Sequence, residues 1–302
     1  NSATPYAPWG GLLRDLCGIA GGASQDDRRA RLRAALRRAG VPADDWMPLV
    51  AELVGLADED NAVVRALDPG QRQARRFEIV LAMLRAAARE APGGAVVLFD
   101  NLQWADQVSL DLWQHVAAHI GGDPILLLGL HRGALEWGSG PQGDGAATLE
   151  LGPLPDETSA ALLDALAGPG VLGEELRGRL VARAAGNPLF LEELLRAVEG
   201  ARQGEQPATS DALDALPDSL SGLLLARIDR LDEHSRALLR VASVVGQRFP
   251  VGVIQSIHEP DREALVRRLA QLDSEELTAT ERERPERVHL FRHALLQEVA
   301  YQ

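Results

Sequence analysis

The sequence contains no lysine, so all 31 of its basic side chains are arginines. A phosphate-binding loop of the form G-x-x-x-x-G-K-[ST] places its lysine on the β- and γ-phosphates of a nucleotide. The absence of lysine therefore excludes such a loop from these 302 residues. The glycine-rich stretches that begin at Gly18 and Trp137 lack a following Lys-Ser or Lys-Thr, and we predict that they are flexible connections.

Cysteine and long apolar runs are also scarce. Cys17 is the only cysteine, which excludes an internal disulfide and, without a signal peptide, favours a reducing cytoplasm. The apolar run 125–130 has the length of a strand, whereas a membrane helix needs about 20 apolar residues. We therefore predict a cytoplasmic protein with no membrane contact.

Acidic side chains outnumber basic ones, 44 against 31, and the formal net charge is -13. Contacts to nucleic-acid phosphates need clustered cations. The composition therefore argues against direct nucleic-acid contact by this chain.

The most informative stretch is 94–110, GAVVLFDNLQWADQVSL. A short apolar run that ends in an acid, here Asp100, is typical of a buried strand in a parallel sheet. Parallel sheets bind ligands at the carboxyl ends of their strands. Asp100 thus has the position of a Walker B acid, which holds the Mg²⁺ of a nucleoside triphosphate. Taken alone, a strand-end Asp is also a common turn former.

For two of the residues that follow Asp100 we predict structural roles. Asp106 precedes the helical pattern 108–120, so we expect it to cap that helix. We expect Trp104 to pack beneath the turn.

Further strands are predicted at 125–130, followed by His131 and Arg132, and at 147–151 (ATLEL). A strand, a helix and a strand in this order predict a right-handed βαβ unit. Before it, 1–11 reads as a loop and the charged run 26–38 as a solvated helix.

The pattern is helical from 156 to 198 and then polar and linker-like from 200 to 210. Gly186, Asn187 and Pro188 suit the end of one helix and the start of the next without any ligand. Helices then precede a predicted hairpin, 277–279 with 288–290, and a last helix from His293. This combination is typical of a winged-helix module.

These pieces, in this order, resemble the signal-transduction ATPases with numerous domains (STAND class). The resemblance is to the AAA-like region attached to bacterial nucleotide cyclases and large LuxR-type transcription regulators. The matching segments are VVLFDNLQWADQVSL, LLLGLHR, AAGNPLFLEELLR, LPDSLSGLLLARIDRL with LLRVASVVGQRF, and LFRHALLQEVAY.

The resemblance implies an α/β fold: an incomplete P-loop NTPase-type parallel sheet with helices, then an all-helical lid and a winged-helix domain. The expected boundaries are 1–152, 153–210 and 211–302, the last truncated at its C-terminus. The chain begins at Asn1 without an initiator methionine, and SATPYAPWGGLLRDL resembles the stretch that follows the phosphate-binding loop. We therefore expect a fragment whose Walker A loop lies upstream.

The resemblance also implies site residues. Asp100 matches the Mg²⁺-binding acid, and Arg132 matches the arginine that senses the γ-phosphate. Asn187 and Pro188 match the nucleotide-binding GNP segment, whose proline packs on the adenine. His293 matches the histidine that holds the β-phosphate of bound diphosphate. These assignments predict ATP or ADP with Mg²⁺ as cofactors, and they require Asp100, Arg132 and His293 to converge on one cleft.

Asn101 departs from the family pattern, which has a second acid at this position to polarise the attacking water. An amide can orient water but cannot accept its proton. We therefore expect slow or absent hydrolysis, so the chain is at most part of a weak ATPase.

Two functions remain open. The first is a regulatory ATP/ADP switch within a longer chain, whose partners would be sensor and effector domains of that chain and other copies on activation. No nucleotide affinity is expected for the present residues alone. The second is a degenerate, nucleotide-free protein-interaction scaffold. The pairs His115 with His119 and His289 with His293 lack the His-Glu-x-x-His form, and we expect no zinc site.

Overall fold

The computed structural model describes residues 5–20, 22–133, 145–200, 213–258, 261–282 and 287–302. The chain divides into two compact units, Asn1–Leu149 and Glu150–Gln302. The glycine-rich stretch from Trp137 lies largely, and the predicted linker 200–210 almost wholly, outside the described residues.

The described residues of the first unit are mostly helical and include two strands. Its elements in order are α1 Ala7–Cys17, α2 Gln25–Arg38, α3 Ala43–Ala51, α4 Ala62–Arg65, α5 Pro69–Glu90, β1 Ala95–Phe99, α6 Gln107–His119 and β2 Ile125–Gly129. The predicted helix 26–38 is confirmed as α2, whose buried residues are Leu32, Ala35 and Leu36.

The prediction of a loop over 1–11 is wrong for residues 7–11, because α1 begins at Ala7 with a proline in its first turn. Proline is well tolerated there, since the first amides of a helix have no intrahelical acceptor. Trp9 is fully buried: its ring centroid lies 4.7 Å from that of Phe99, and its Nε1 donates to the Ser109 carbonyl at 3.0 Å. This long-range burial, which local composition does not show, fixes the segment as a helix.

Strands β1 and β2 are parallel and in register from Ala95 opposite Ile125 to Phe99 opposite Gly129. Helix α6 lies between them in sequence, so the predicted strand–helix–strand unit is confirmed. At its start, the sheet brings Gly94 so close to Pro124 that a Cβ on the glycine would lie 2.3 Å from the proline carbonyl oxygen. The φ of Gly94, +80°, also favours glycine at this point.

The prediction of a third strand at 147–151 is wrong. These residues are described but form no strand, and Leu149 and Leu151 are 83% and 84% exposed. Alternating apolar residues form a strand only when a neighbouring strand accepts their backbone hydrogen bonds. Within the described residues, the sheet of the first unit contains only β1 and β2.

The second unit combines a helical region with a small sheet. Its elements are α7 Asp156–Ala167, α8 Glu174–Ala184, α9 Pro188–Gly200, α10 Leu220–Asp229, α11 Glu233–Val245, β3 Arg248–Pro250, α12 Val251–Ile257, α13 Arg262–Ser274, β4 Thr278–Arg282, β5 Val288–Phe291 and α14 Ala294–Tyr301.

The sheet of the second unit is antiparallel, with the strand order β3-β5-β4. The predicted hairpin is thereby confirmed as β4 with β5. Phe249 and Phe291 are buried against each other, with ring centroids 5.5 Å apart. His289 is also fully buried, and its Nε2 lies 3.3 Å from the Thr280 hydroxyl oxygen. Val288, which points to the opposite face of β5 from His289, is also buried, so the central strand β5 is covered on both faces.

No described helix is both long and apolar enough to cross a membrane. Cys17 is buried in the first unit, and burial raises the pKa of its thiol to about 11. A thiol with so high a pKa stays protonated and unreactive at neutral pH.

Candidate functional site

The carboxyl ends of β1 and β2 meet at one edge of the first unit. Leu130 donates its backbone N–H to the Phe99 carbonyl at 2.8 Å, and Leu102 donates to the Leu130 carbonyl at 2.9 Å. These bonds tie the turn after β1 to the segment after β2. Asp100 and Arg132, which follow the two strands, consequently stand at the same edge, and both are exposed to solvent.

Asn101 has a left-handed backbone, with φ 59° and ψ 43°. Asparagine adopts this conformation more readily than most residues. The turn can therefore reverse directly after Asp100, and a short 3₁₀ turn, Leu102–Trp104, follows. Asp100, directly before this reversal, is exposed to solvent at the edge where the two strands end.

Gln103 connects the two sides of this edge, a role that sequence reasoning missed. Its Nε2 donates to Asn101 Oδ1 at 3.2 Å, and its Oε1 accepts the backbone N–H of Arg132 at 3.2 Å. The amide of Gln103 therefore fixes the Asn101 side chain relative to the backbone that carries Arg132. Its sequence signal was weak, because a glutamine in a polar turn has no characteristic spacing.

Trp104 does not pack beneath the turn as expected, since its side chain is 67% exposed. Leu102 is buried in that place. A Cβ on Gly129 would lie 2.5 Å from the Leu102 Cδ1 atom and 3.1 Å from the Trp113 ring. Leu102 and Trp113 thus fill the space beside the end of β2, and Trp104 faces outward.

The predicted N-cap role of Asp106 is confirmed. Its Oδ1 accepts the Ser109 backbone N–H at 3.0 Å, and its Oδ2 accepts the Ser109 hydroxyl at 2.6 Å. The same Oδ1 accepts the Tyr6 backbone N–H at 3.4 Å. Asp106 therefore joins α6 to the segment that precedes α1, and its carboxylate is already engaged.

At this edge the carboxylate of Asp100 is exposed to solvent, where a metal could reach it. Mg²⁺ prefers oxygen ligands and usually takes one or two carboxylates together with water and substrate phosphates. The exposed carboxylate of Asp100 fits this donor set. Within the described part of the chain, no group of three or more His, Cys, Asp or Glu side chains could hold a metal ion without further ligands.

Asn187 and Pro188 lie in the second unit, at the junction between α8 and α9. Gly186 has a φ of +74°, Asn187 Oδ1 accepts the Phe190 backbone N–H at 3.1 Å, and Pro188 is the first residue of α9. The predicted helix junction is confirmed. Both side chains are exposed, and their nucleotide-binding role stays a prediction.

His293 also lies in the second unit, directly before α14, and is half-buried. His289 belongs to β5, so this sequence pair does not lie on one helix face. The site residues are thus divided between the units: Asp100, Asn101 and Arg132 in the first, Asn187, Pro188 and His293 in the second. Their convergence on one cleft remains a prediction.

A cavity of about 360 Å³ lies in the first unit away from Asp100 and Arg132. It is lined by Ala39, Glu78, Leu81, Ala82, Arg85, Arg89, His115 and His119. Burial, and then the neighbouring His119, lower the pKa of His115. Arg85 is engaged with Asp123 at 2.7 Å, so the cavity wall is held by an ion pair.

The arrangement at the strand ends agrees with a comparison with known protein families. Residues 1–128 match the AAA ATPase domain family. The match covers α1 to α6, both ends of the Asp100 turn and most of β2, and it supports an AAA-like ATPase region with a P-loop-like fold. Arg132 lies just beyond the matched residues. No curated protein matches the chain.

Proposed function

We propose that this chain is the regulatory ATP/ADP-binding switch module of a multidomain bacterial signalling or transcription regulator, of the STAND class. The observation that carries the proposal is the shared edge of Asp100 and Arg132 within and beside an AAA-like ATPase region. An AAA ATPase domain in general uses a nucleotide and Mg²⁺. The finer regulatory role rests on the order of motifs along the whole sequence.

At the first unit, Asp100 would hold Mg²⁺ and Arg132 would contact the γ-phosphate. The Asn101 Oδ1 atom would accept a hydrogen bond from water and so orient it. A neutral amide is too weak a base to take the proton of that water. Gln103 would keep Asn101 and the backbone of Arg132 in place through its two hydrogen bonds. A group that positions water but cannot act as a base supports binding with slow or absent hydrolysis.

At the second unit, the exposed Asn187 and Pro188 would contact the adenine side of the nucleotide, and His293 the β-phosphate. We propose three functional regions, 1–152, 153–210 and 211–302, the last being a winged-helix domain. The antiparallel sheet β3-β5-β4 beside helices supports that assignment. ATP and ADP would favour different packings of these regions, and sensor and effector domains of a longer chain, with self-association on activation, would read the difference.

A second candidate is a nucleotide-free protein-interaction scaffold. Two observations favour it: the 302 residues contain no lysine for a phosphate-binding loop, and one face of the β1–β2 sheet is apolar and exposed. An exposed apolar patch is a common mark of a protein-interaction surface.

Calorimetric titration with ATP and Mg²⁺ separates the two candidates. It is applied to this chain and to a longer form that carries a G-x-x-x-x-G-K-[ST] loop before Asn1. We expect heat of binding from the longer form only, and loss of that binding on Arg132→Gln. The same substitution at Arg230, an exposed arginine of the second unit, is the matched control.

If the longer form also fails to bind, the switch is excluded and the scaffold stands. Turnover provides a second readout. The longer form should hydrolyse ATP more slowly than its Asn101→Asp variant, because only the variant has a proton acceptor at this position. Equal rates would contradict the role of Asn101.

A further inference from the structure

A buried carboxylate lies in the second unit, remote in sequence from every predicted site residue of the first. The Glu193 side chain on α9 is 3% exposed. Arg196, on the same helix, places Nη1 2.5 Å from Glu193 Oε1. Arg227, on α10, donates from Nη1 to both oxygens of Glu193, at 2.8 and 3.0 Å. Two guanidinium groups therefore balance a charge that would otherwise be costly to bury.

The same two arginines reach the turn between α13 and β4. Arg227 donates from Nη2 to the carbonyl of Glu275, and Arg196 forms an ion pair with Glu276. Glu276 has a positive φ of 54°, which turns the chain sharply between α13 and β4. We call Glu193, Arg196, Arg227 and Glu276 the Glu193 clamp. The Glu193 clamp joins α9, α10 and the α13–β4 turn.

The Glu193 clamp lies where two hydrophobic clusters adjoin. Leu194 and Leu195 of α9 belong to one cluster together with Leu223 of α10. Leu224 and Ile228 of α10 belong to the other, with the core of the small sheet. Helix α10 thus contributes to both clusters, while the contacts traced above from α9 to the α13–β4 turn are made by charged groups.

The stability of such a buried ion-pair cluster depends strongly on which of its members are replaced. Removing one partner leaves an uncompensated buried charge, whereas replacing all partners by apolar groups is often neutral. Opening one of its ion pairs while Glu193 stays buried is therefore costly, which favours the arrangement with all contacts made. A ligand could shift the balance between a made and a broken arrangement only through a difference in its affinity for the two.

We propose that the Glu193 clamp is a conformational latch that holds the helical region 153–200 against the C-terminal region 213–302. The two regions separate only when the clamp breaks. The proposal deepens the proposed switch, because it names the contact that the movement must disrupt. Its test needs no nucleotide, so the latch and the nucleotide switch can fail independently of each other.

The test is hydrogen–deuterium exchange on the full chain, read by peptide. Glu193→Gln should accelerate exchange in α9 and in 275–277 by about tenfold or more, because it leaves two guanidinium groups without their carboxylate. Exchange in β5 and α14, within the core of the small sheet, should change much less. The control is Glu199→Gln, the same substitution at an exposed residue of the same helix. It should leave all these rates near wild type.

Two results would overturn the latch. One is equal exchange in Glu193→Gln and Glu199→Gln; the other is uniform acceleration across 150–302, which indicates general destabilisation. If Glu193→Gln does not fold, Glu276→Gln decides, because its side chain is 42% exposed and its loss is milder. The same local pattern in α9 and 275–277 then supports the latch, and wild-type exchange there contradicts it.

Discussion

The two sheets of this chain are covered in opposite ways. In the parallel sheet, Val97 and Phe99 are buried at 4% and 6% exposure, whereas Val96 and Leu98 on the other face are 69% and 57% exposed. In the antiparallel sheet, Val288 and His289 are adjacent on β5 and point to opposite faces, yet they are only 7% and 0% exposed. Parallel sheets are normally covered on both faces, and antiparallel sheets tolerate water on one.

The difference shows that the apolar sequence of a strand does not determine whether helices cover both of its faces. An uninterrupted apolar run such as AVVLF is suited to burial on both sides, and the described residues provide helices for one side only. In the antiparallel sheet, Phe249 and Phe291 pack within the helical core of the second unit on one face, and Val288 is buried on the other. The second unit should therefore be sensitive to core substitutions on either face, and the first on one face only.

The largest effect is expected from Phe249→Ala. Phe249 is fully buried and packs against Phe291 and His289. Truncating such a ring removes burial and leaves a cavity, at a cost of about 3–5 kcal/mol. Thermal or urea unfolding followed by circular dichroism measures this loss. Leu225→Ala, at a 48% exposed position of α10, is the control and should cost far less. Equal losses would mean that the small sheet is not the centre of its unit.

Much of this architecture could be predicted because its signals are local. The Asp106 cap, the Gly186–Asn187–Pro188 junction and the β4–β5 hairpin each depend on a few adjacent residues. Asp100 was placed correctly at a strand end, because an apolar run closed by an acid specifies the end of a strand without reference to its neighbours.

The misses depend on contacts between distant residues. Leu102, and not Trp104, fills the space beside Gly129. Nothing near these two residues in the sequence shows which side chain fits there. Helix α1 is fixed by the Trp9 contact to Ser109, 100 residues away. Residues 147–151 have the alternation of a strand but no described neighbouring strand. Gln103, the connection within the candidate site, was missed because its role depends on the register of β1 with β2.

A middle-sized effect is expected at the start of the parallel sheet. Gly94→Ala forces a Cβ to within 2.3 Å of the Pro124 carbonyl oxygen at a φ of +80°. The backbone must shift at the start of the sheet, and we expect a loss of about 1–3 kcal/mol. Gly93→Ala is the matched control, since no atom lies within 4 Å of the added Cβ. Unfolding midpoints of the two variants measure the difference. If they coincide, the close approach of Gly94 to Pro124 does not restrict the sheet.

The smallest effect is expected on the exposed face of the parallel sheet, which a pair of threonine substitutions tests directly. Val96→Thr and Val97→Thr introduce the same nearly isosteric hydroxyl at adjacent positions of β1 on opposite faces. At Val97, which is 4% exposed, the hydroxyl would be buried without a guaranteed partner, at a cost of about 1–3 kcal/mol.

At Val96, 69% exposed, water solvates the hydroxyl, and the free energy of unfolding should stay within about 0.5 kcal/mol of wild type. Binding of a fluorescent apolar dye should fall in Val96→Thr and not in Val97→Thr, because only the first position contributes to the exposed apolar face. Dilution distinguishes the remaining possibility. If Val96→Thr is as destabilising as Val97→Thr at high protein concentration and neutral at low concentration, copies of the chain cover this face themselves. If the two losses are equal at every concentration, the face is buried within the chain and the contrast between the two sheets does not hold.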